Sequence, residues 1–312
     1  MTKKILSINS LRITTLLPLY KPSTLSQFLT GEGKKPIRAL SQNFLIDGNI
    51  LRKLVQAAAP KEGDLVIEIG PGPGALTEAL LESGANVLAI EKDRELARSL
   101  NRLQNGNLSI VADDFRNVCF QELLQGKGEV KVIANIPYHI TGIILQKLLP
   151  IGNALIKSIH LMVQKEVALR CQAEIRSKDY SSFTLFIQYH AKAKLLFTVS
   201  PHCFYPPPKI DSAVLELILI PPAVKAPYLP LFQLIRAAFQ QRRKMLRSSL
   251  RSFYRAESIE QALQKIALSP TARPQELSLE QFSALFFTLS AIEPKNCSSE
   301  SDKEEEEPFF ES

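Results

Sequence analysis

Short apolar segments alternate with amphipathic stretches between about residues 47 and 220, and this alternation limits the possible folds most strongly. Seven segments are rich in Val, Ile and Leu: LVIEIG, NVLAIEKD, LSIVADD, VKVIANI, SIHLMVQ, KLLFTV and AVLELILI. Helical patterns such as DGNILRKLVQAAA, residues 47–59, separate the earlier ones. Near-continuous apolar strands are typical of a parallel sheet that helices cover on both faces. The last two segments predict a closing antiparallel pair, so we expect a seven-stranded, mostly parallel α/β sheet of Rossmann-like type.

The pattern changes at Pro221 and Pro222, because the apolar spacing is purely helical from there to about residue 292. We therefore predict an α/β domain over residues 38–221 and a small all-helical domain over 222–292. Residues 1–37 are expected to be a disordered extension, and residues 293–312 an acidic disordered tail. The first 31 residues hold several basic residues and no acidic one, so an import peptide and a start codon placed too far upstream are alternatives.

Charge is unevenly distributed along the chain. The net charge is +7, but residues 300–312 hold seven acidic residues and one lysine, and the remainder has 37 basic and 24 acidic residues. This excess suggests a polyanionic partner, although composition does not separate nucleic acid from an acidic protein or a lipid surface. No apolar run reaches the ~18 residues of a membrane span, and the four cysteines form no CxxC pair. We expect a cytoplasmic protein without a metal site or a disulfide framework.

A glycine-rich loop follows the first predicted strand, in VIEIGPGPGALTEAL, residues 66–80. Gly70, Gly72 and Gly74 let the main chain approach a ligand where the strand turns into a helix with ligand-facing amides. Glu91 ends the next strand, where an acidic side chain can bind ribose hydroxyls. These features fit NAD and S-adenosylmethionine equally well. Glu68, inside the strand, is a secondary candidate as a buried acid that supports the cofactor site.

Polar residues also follow the third and fourth strands. Asp113 is placed where an acceptor could bind the amine of a cofactor adenine, and Asn135 opens the sequence Asn-Ile-Pro-Tyr. A dehydrogenase needs an acid or base there, which this sequence does not supply. The Asn135 side-chain oxygen and the Ile136 carbonyl can instead accept hydrogen bonds from an adenine amine and favour its pyramidal form. Pro137 fixes the backbone and Tyr138 offers a flat face for the base, so the pattern favours S-adenosylmethionine and methylation of adenine N6.

Several longer motifs point to one family: LSQNFLID, EIGPGPGALT, AIEKD, VADDF, NIPYHIT, MVQKEVALR, FYPPPKIDSAV and RAAFQQRRKMLRSSL. Through them the chain resembles the small-subunit ribosomal RNA adenine dimethyltransferases over about residues 38–290. The resemblance implies a class I methyltransferase fold followed by a small helical domain. It implies transfer of four methyl groups from S-adenosylmethionine to N6 of two adjacent adenosines in the 3′-terminal hairpin of that RNA. The expected partners are this RNA and the assembling 30S-type subunit, with a role in its biogenesis, and the expected state is a monomer without membrane contact.

The resemblance also implies roles for matching residues. The cofactor would contact Asn43 and Leu45, and its amino-acid end would lie at Gly70. Its ribose would bind Glu91 and its adenine would bind Asp113. Asn135 would lie beside its methyl group. Phe204 would sandwich the flipped target base against Tyr138, with core packing as the alternative for Phe204. No metal is implied. Ser41 replaces a usual Gly and His139 a frequent Asn, which leaves the shape of the target pocket open.

A basic segment in the predicted helical domain, FQLIRAAFQQRRKMLRSSLRSFYR (residues 232–255), suggests where RNA binds. Its arginines at 243, 247, 251 and 255 recur every four residues, beside an apolar stripe at 235, 239, 246, 250 and 253. No acidic residue lies between 221 and 256, so ion pairs within the segment are not available. We predict a basic helical ridge that contacts phosphates, rather than a merely solvated face. Its predicted RNA-binding residues are Arg242, Arg243, Lys244, Arg247 and Arg251.

Two alternative functions remain open. An enzyme that dimethylates a large-subunit RNA adenine shares the glycine loop and an Asn-x-Pro-Tyr type of motif, whereas PPPKIDSAV and the long arginine-rich segment favour the small-subunit family. The second alternative is a ribosome-assembly or transcription factor that kept the fold and lost the activity. Intact Asn135, Tyr138, Glu91 and Asp113 argue against such a factor.

Overall fold

The computed structural model of the chain describes residues 18–31 and 43–293. The strands are β1 (Phe44–Leu45), β2 (Leu65–Ile69), β3 (Asn86–Ile90), β4 (Leu108–Val111), β5 (Val130–Asn135), β6 (Ile156–Gln164), β7 (Ala191–Val199), β8 (Phe204–Tyr205) and β9 (Ser212–Leu219). The helices are α1 (Pro22–Gly31), α2 (Gly48–Ala58), α3 (Ala75–Glu82), α4 (Arg94–Ser99), α5 (Phe120–Leu123), α6 (Thr141–Leu148), α7 (Lys165–Cys171), α8 (Ser182–His190), α9 (Tyr228–Gln240), α10 (Leu246–Ser249), α11 (Ala256–Lys265) and α12 (Leu279–Ile292). Within these ranges, no helix is long and apolar enough to cross a membrane.

Seven strands form one sheet in the order β4-β3-β2-β5-β6-β9-β7, and β1 pairs with β8 in a separate two-stranded sheet. The pairs from β4 to β6 are parallel, whereas β9 runs antiparallel to both β6 and β7. The predicted seven-stranded, mostly parallel sheet is thereby confirmed. The chain adds β3 and β4 on one side of β2 and then β5 on the other. This reversal opens a crevice at the carboxyl ends of β2 and β5, where sheets of this kind bind ligands.

Successive residues of the central strands face opposite sides of the sheet, and each side buries an apolar core. Val66 and Ile133 point to the core that α2 and α3 cover with Leu54 and Leu80. Their neighbours Ile67 and Val132 point to the other core, which contains residues of α6 and α8. Both faces of the strands are apolar because both are covered, which explains why the strand sequences lack a polar alternation.

The C-terminal helices continue the larger core. Leu231 and Phe232 of α9, Leu263 of α11 and Phe282 of α12 belong to the same apolar cluster as the sheet residues, and all four are buried. The rings of Phe186 in α8 and Phe232 in α9 meet edge to face at 6.2 Å. A helical C-terminal region was predicted and is confirmed. The boundary placed at residue 221 stays a prediction, with β9 ending at Leu219 and α9 beginning at Tyr228.

Helix α1 corrects the expectation that residues 1–37 are all disordered. Pro22 occupies its first position, where a missing backbone N–H costs nothing. Leu25 and Leu29, four residues apart, are buried together with Leu19. A side chain at Gly48 would lie 2.9 Å from the Tyr20 ring, so the segment packs directly on the start of α2. The rest of the predicted extension and all of the acidic tail after residue 293 lie outside the described residues.

The basic segment does not form the predicted helical ridge. Helix α9 ends at Gln240, and turns precede and follow the short helix α10. The four-residue spacing of the arginines therefore does not place them on one helix face. The physical reason is tertiary: the Arg242 guanidinium donates to the carbonyls of Ser177 and Lys178 at 2.8 and 2.6 Å, and the Leu246 amide donates to Ala272.

Candidate active site

The loop between β2 and α3 needs glycine at three positions. The backbone angle φ is +68° at Gly70, +55° at Gly72 and +93° at Gly74, a region that favours glycine. A Cβ at Gly74 would lie 2.7 Å from a methyl carbon of Leu100, so space as well as conformation excludes a side chain there. The loop therefore exposes main chain, and the amides at the start of α3, to the crevice at the sheet edge.

Glu91 connects this loop to the end of β3. Its Oε2 accepts a hydrogen bond from the Gly72 amide at 2.9 Å, and its Oε1 accepts one from the Asp93 amide at 2.8 Å. Burial raises the pKa of Glu91, and these backbone hydrogen bonds act in the opposite direction. Each carboxylate oxygen keeps a second lone pair, so Glu91 can still accept from the hydroxyls of a ribose.

Glu68 lies at the base of the same cleft and is 1% exposed. The Thr77 hydroxyl of α3 donates to its Oε2 at 2.6 Å, which ties β2 to the helix that follows the glycine loop. Burial raises the pKa of Glu68 to about 8. Glu68 is thus mainly a neutral carboxylic acid at pH 7, and the secondary role given to it as a buried acid of the cofactor site stays a prediction.

The glycine loop, the strand ends and the N-terminal segment line one cleft. Five residues predicted to contact the cofactor line this cleft: Asn43, Leu45, Gly70, Glu91 and Asn135. Leu19 and Leu25 also line it. Sequence reasoning missed these two leucines, although Pro22 as a helix start and the Leu25/Leu29 spacing were available as signals.

Asp113 is the predicted cofactor residue that does not line the cleft. It follows β4, is exposed, and its Oδ1 accepts hydrogen bonds from the Asp114 amide and the Asn117 side chain. Its neighbour Asp114 is held by Arg116 and Lys92, and the Arg116 hydrogen bond leads the causes that lower the pKa of Asp114. The adenine-binding role of Asp113 stays a prediction.

Asn135 ends β5, and its amide has a defined orientation. The side-chain Nδ2 donates to the Asn43 carbonyl at 3.2 Å. That bond leaves Oδ1 as the atom that can accept from a ligand in the cleft. Ile136 and Pro137 also line the cleft, so Asn135 and the two residues after it belong to one wall. The arrangement suits a ligand that donates two hydrogen bonds, as a primary amine does.

Tyr138 follows in a 3-10 turn, Tyr138–Ile140, and is half-buried. Its hydroxyl forms a hydrogen bond with the hydroxyl of Ser212 at the start of β9. Burial raises the pKa of Tyr138, so the phenol is neutral at physiological pH. The Ser212 contact was not anticipated from the sequence, because 74 residues separate the two side chains.

Phe204 is 2% exposed and packs in the apolar core, with β8 paired to β1 through Leu45 and Phe204. In this conformation it offers no exposed ring face to a base, and its position fits the core-packing alternative. The adjacent Tyr205 is 42% exposed. The role of Phe204 as a stacking partner stays a prediction.

The five predicted RNA-binding residues fall into two groups. Arg243, Lys244 and Arg251 are exposed. Arg247 forms an ion pair with Glu260 of α11 at 2.7 Å. Arg242 donates hydrogen bonds to carbonyls of the loop between α7 and α8. The ion-pair partner lies just beyond the acid-free segment, which sequence reasoning did not consider. Contact with RNA stays a prediction for all five.

No cluster of three or more His, Cys, Asp or Glu side chains that could hold a metal ion occurs in residues 18–31 and 43–293. The chain is a class I methyltransferase by its fold and its site. The defining features are the sheet with one antiparallel strand, the glycine loop after β2 and the acidic residue after β3. The sequence profile of the family described as Ribosomal RNA adenine dimethylase matches residues 34–290. The chain belongs to that family, which confirms the resemblance found in the sequence.

Similar proteins agree with this membership. The chain is 48% identical over 285 residues to a ribosomal RNA small subunit methyltransferase A of Protochlamydia amoebophila, covering 89% of this chain and 99% of the relative. It is 41% identical over 275 residues to the protein of the same name from Chlamydia abortus, with coverages of 86% and 97%. A dimethyladenosine transferase from Plasmodium falciparum has a similar structure, with TM-score 0.69, 25% identity and coverages of 80% and 98%. So does the 23S rRNA methyltransferase ErmE, with TM-score 0.61, 26% identity and coverages of 80% and 100%.

Proposed function

We propose that this protein uses S-adenosylmethionine to dimethylate N6 of two adjacent adenosines in the 3′-terminal hairpin of small-subunit ribosomal RNA. The observation that carries the proposal is that Asn135 and Ile136 line the same cleft as the glycine loop and Glu91. The residues proposed to hold the amine therefore line the same cleft as the residues proposed to hold the cofactor. The family membership and the names of relatives at 41–48% identity support the choice of reaction and of RNA.

The residues of the cleft fit this cofactor. Main chain at Gly70 can approach an amino-acid group, Glu91 can accept from ribose hydroxyls, and Leu45 with Leu25 supplies apolar wall. When bound, S-adenosylmethionine supplies an already activated methyl group on a sulfonium. The protein side chains are thus left with binding and orienting the acceptor, which agrees with the lack of any nucleophile among the residues proposed for the site.

The central task of the protein is to hold the adenine amine. In free adenine the lone pair on N6 is delocalised into the ring, so the nitrogen is planar and a poor nucleophile. Asn135 Oδ1 and the Ile136 carbonyl accept its two N–H bonds and favour the pyramidal form, with the lone pair directed away from them. The Asn43 carbonyl keeps the Asn135 amide in the required orientation by accepting from Nδ2.

The target base and the surrounding RNA engage different parts of the chain. Tyr138 stacks on the flipped adenine, a contact worth about 1–3 kcal/mol in nucleic-acid sites. Arg243, Lys244 and Arg251 contact phosphates of the RNA within the assembling subunit. The protein acts as a monomer in the cytoplasm, where the subunit is assembled.

The experiment is a transfer assay with labelled S-adenosylmethionine on two substrates: small-subunit particles that lack the modification, and large-subunit RNA. We expect N6,N6-dimethyladenosine at two adjacent positions of the small-subunit 3′ hairpin, mapped by mass spectrometry of nuclease fragments. Label confined to large-subunit RNA would instead support the alternative function, dimethylation of a large-subunit RNA adenine. The structural similarity to ErmE is the reason for including this substrate. Binding to the particle without transfer would support an assembly factor that has lost activity.

A further inference from the structure

The contact between Tyr138 and Ser212 joins two parts of the chain that the fold fixes very differently. Tyr138 lies in a short turn after β5, and its side chain is half-buried. Ser212 is 0% exposed and begins β9. Their hydroxyl groups form a hydrogen bond with each other. One partner is therefore a half-buried ring in the turn that directly follows the cleft residues Asn135, Ile136 and Pro137, and the other is part of the sheet.

Ser212 is held by strands on both sides. In the ladder it is opposite Gln164 of β6 and Val199 of β7. The adjacent Asp211 carbonyl accepts from the Lys165 amide at 3.0 Å, which secures the chain just before the strand. A hydroxyl in this position has little freedom, because neither its backbone nor its surroundings can shift without breaking sheet pairing. It is a fixed reference point beside the site.

Tyr138, by contrast, lies in the 3-10 turn Tyr138–Ile140 between β5 and α6. A tyrosine ring turns about two side-chain torsions, and stacking on a base requires one particular plane. Anchoring the hydroxyl at the far end of the ring fixes the direction of the ring axis, and the preference of a phenol hydrogen bond for the ring plane limits rotation about that axis before any base arrives. The reduced entropy cost of ordering then favours binding of the base.

We infer that Ser212 is a positioning residue for the reaction: its hydroxyl holds the Tyr138 ring in the plane on which the target adenine stacks. The inference rests on the proposed function, in which Tyr138 is the stacking surface. It assigns to Ser212, within FYPPPKIDSAV, a task that packing alone does not require. It also explains why the turn after Asn135 uses tyrosine rather than phenylalanine.

The test compares three single variants and one double variant: Ser212→Ala, Tyr138→Phe, Tyr138→Ala and Ser212→Ala with Tyr138→Phe. Each of the first two removes one side of the same hydrogen bond. We expect each to lower kcat/KM about fivefold, as for one ordinary hydrogen bond, and the double variant to lose no more than either single one. Tyr138→Ala should cost more than about tenfold, because the stacking face itself is lost.

A spectroscopic readout separates positioning from general stability. With 2-aminopurine in place of the target adenosine in a hairpin RNA, stacking on Tyr138 quenches fluorescence, and Ser212→Ala and Tyr138→Phe should reduce the quenching equally. Ser212→Thr keeps a hydroxyl and should restore the quenching. The matched control is Ser158→Ala, another buried serine near the opposite end of the neighbouring strand β6, which should leave both quenching and kcat/KM unchanged.

The outcomes distinguish the two levels of the proposal. If Tyr138→Ala retains full activity, the stacking role fails and the Ser212 role fails with it. If Tyr138→Ala is impaired while Ser212→Ala and Tyr138→Phe match the unmodified protein, only the Ser212 role is overturned. Additive losses in the double variant would likewise overturn it. Should Ser212→Ala fail to fold, Tyr138→Phe tests the same bond from the less buried side.

Discussion

The cofactor cleft and the basic surface after α9 are built in opposite ways. In the cleft, polar groups are held by hydrogen bonds: the buried Glu91 accepts from two backbone amides, and Nδ2 of the partly buried Asn135 donates to the Asn43 carbonyl. On the basic surface, Arg243, Lys244 and Arg251 are exposed at turns and at the end of a short helix. Methyl transfer needs groups placed before the substrate arrives, whereas phosphate binding needs positive charge more than fixed geometry. Substitutions in the two regions should therefore fail in different ways.

The largest effect is expected at Asn135. Asn135→Ala removes one acceptor of the target amine, so turnover should fall by about 10³-fold, while cofactor affinity changes by less than about threefold. Single-turnover kinetics and calorimetric titration with S-adenosylmethionine measure the two quantities. Asn101→Ala, at an exposed asparagine after α4, is the matched control. Parallel losses of turnover and cofactor affinity would show that Asn135 serves cofactor binding instead.

The second prediction uses the buried acid of the cleft. Glu68 has a pKa raised to about 8 by burial, against an ordinary value of 4.5. A raised pKa favours folding at low pH, and that contribution is lost as pH rises from about 4.5 through 8. Glu68→Gln keeps an acceptor for Thr77 without the charge. The free energy of unfolding of the variant minus that of the unmodified protein should therefore increase by roughly 4 kcal/mol as the pH is raised from 5 to 9.

Chemical denaturation at several pH values measures this change. A difference between the two proteins that stays constant from pH 5 to pH 9 would contradict the neutral, buried state of Glu68. Neutralising Arg251 on the basic surface should give no such pH dependence, because arginine stays charged throughout the range.

A smaller effect is expected from α1, which adds a wall to the cleft. Leu25→Asp places a charge where a buried leucine lines the cofactor space, so S-adenosylmethionine affinity should fall about tenfold. Gln27→Asp, on the exposed side of the same helix, is the matched control and should leave affinity unchanged. Equal affinities for both variants in calorimetric titration would contradict a role of α1 in the cleft.

The smallest effect is expected on the basic surface. Arg243→Gln combined with Arg251→Gln should weaken RNA binding several-fold and lower the slope of log K against log salt by about 1.4–1.8, or 0.7–0.9 per lost phosphate contact. Arg242→Gln should in addition lower thermal stability, because the Arg242 guanidinium donates hydrogen bonds to two protein carbonyls. An unchanged slope in the double variant would remove these two arginines from the RNA interface.

The sequence predicted the part of the molecule that local pattern controls. All seven strands of the main sheet, the glycine loop and the placement of Asn135 after a buried strand follow from residue order, because strand period and turn chemistry are local properties. Asp47, the first residue of the predicted helical stretch DGNILRKLVQAAA, caps α2 by accepting from the Asn49 and Ile50 amides.

Tertiary contacts account for what the sequence did not predict. The arginine spacing indicated one helix, but the hydrogen bonds of Arg242 and Leu246 to distant carbonyls accompany a break in that helix. Helix α1 was missed because Pro22 and the Leu25/Leu29 spacing are weak local signals, and the cleft that Leu19 and Leu25 line exists only in the folded chain. The Tyr138–Ser212 bond joins residues 74 apart, and no local pattern reports such a pair.

The most direct test is a structure of the protein with a non-reactive analogue of S-adenosylmethionine and an oligonucleotide that carries the target adenosine. We predict that adenine N6 lies within about 3.2 Å of both Asn135 Oδ1 and the Ile136 carbonyl oxygen, with the base against Tyr138. An N6 atom beyond hydrogen-bonding distance of both oxygens, in a complex where the base has entered the cleft, would contradict the central claim.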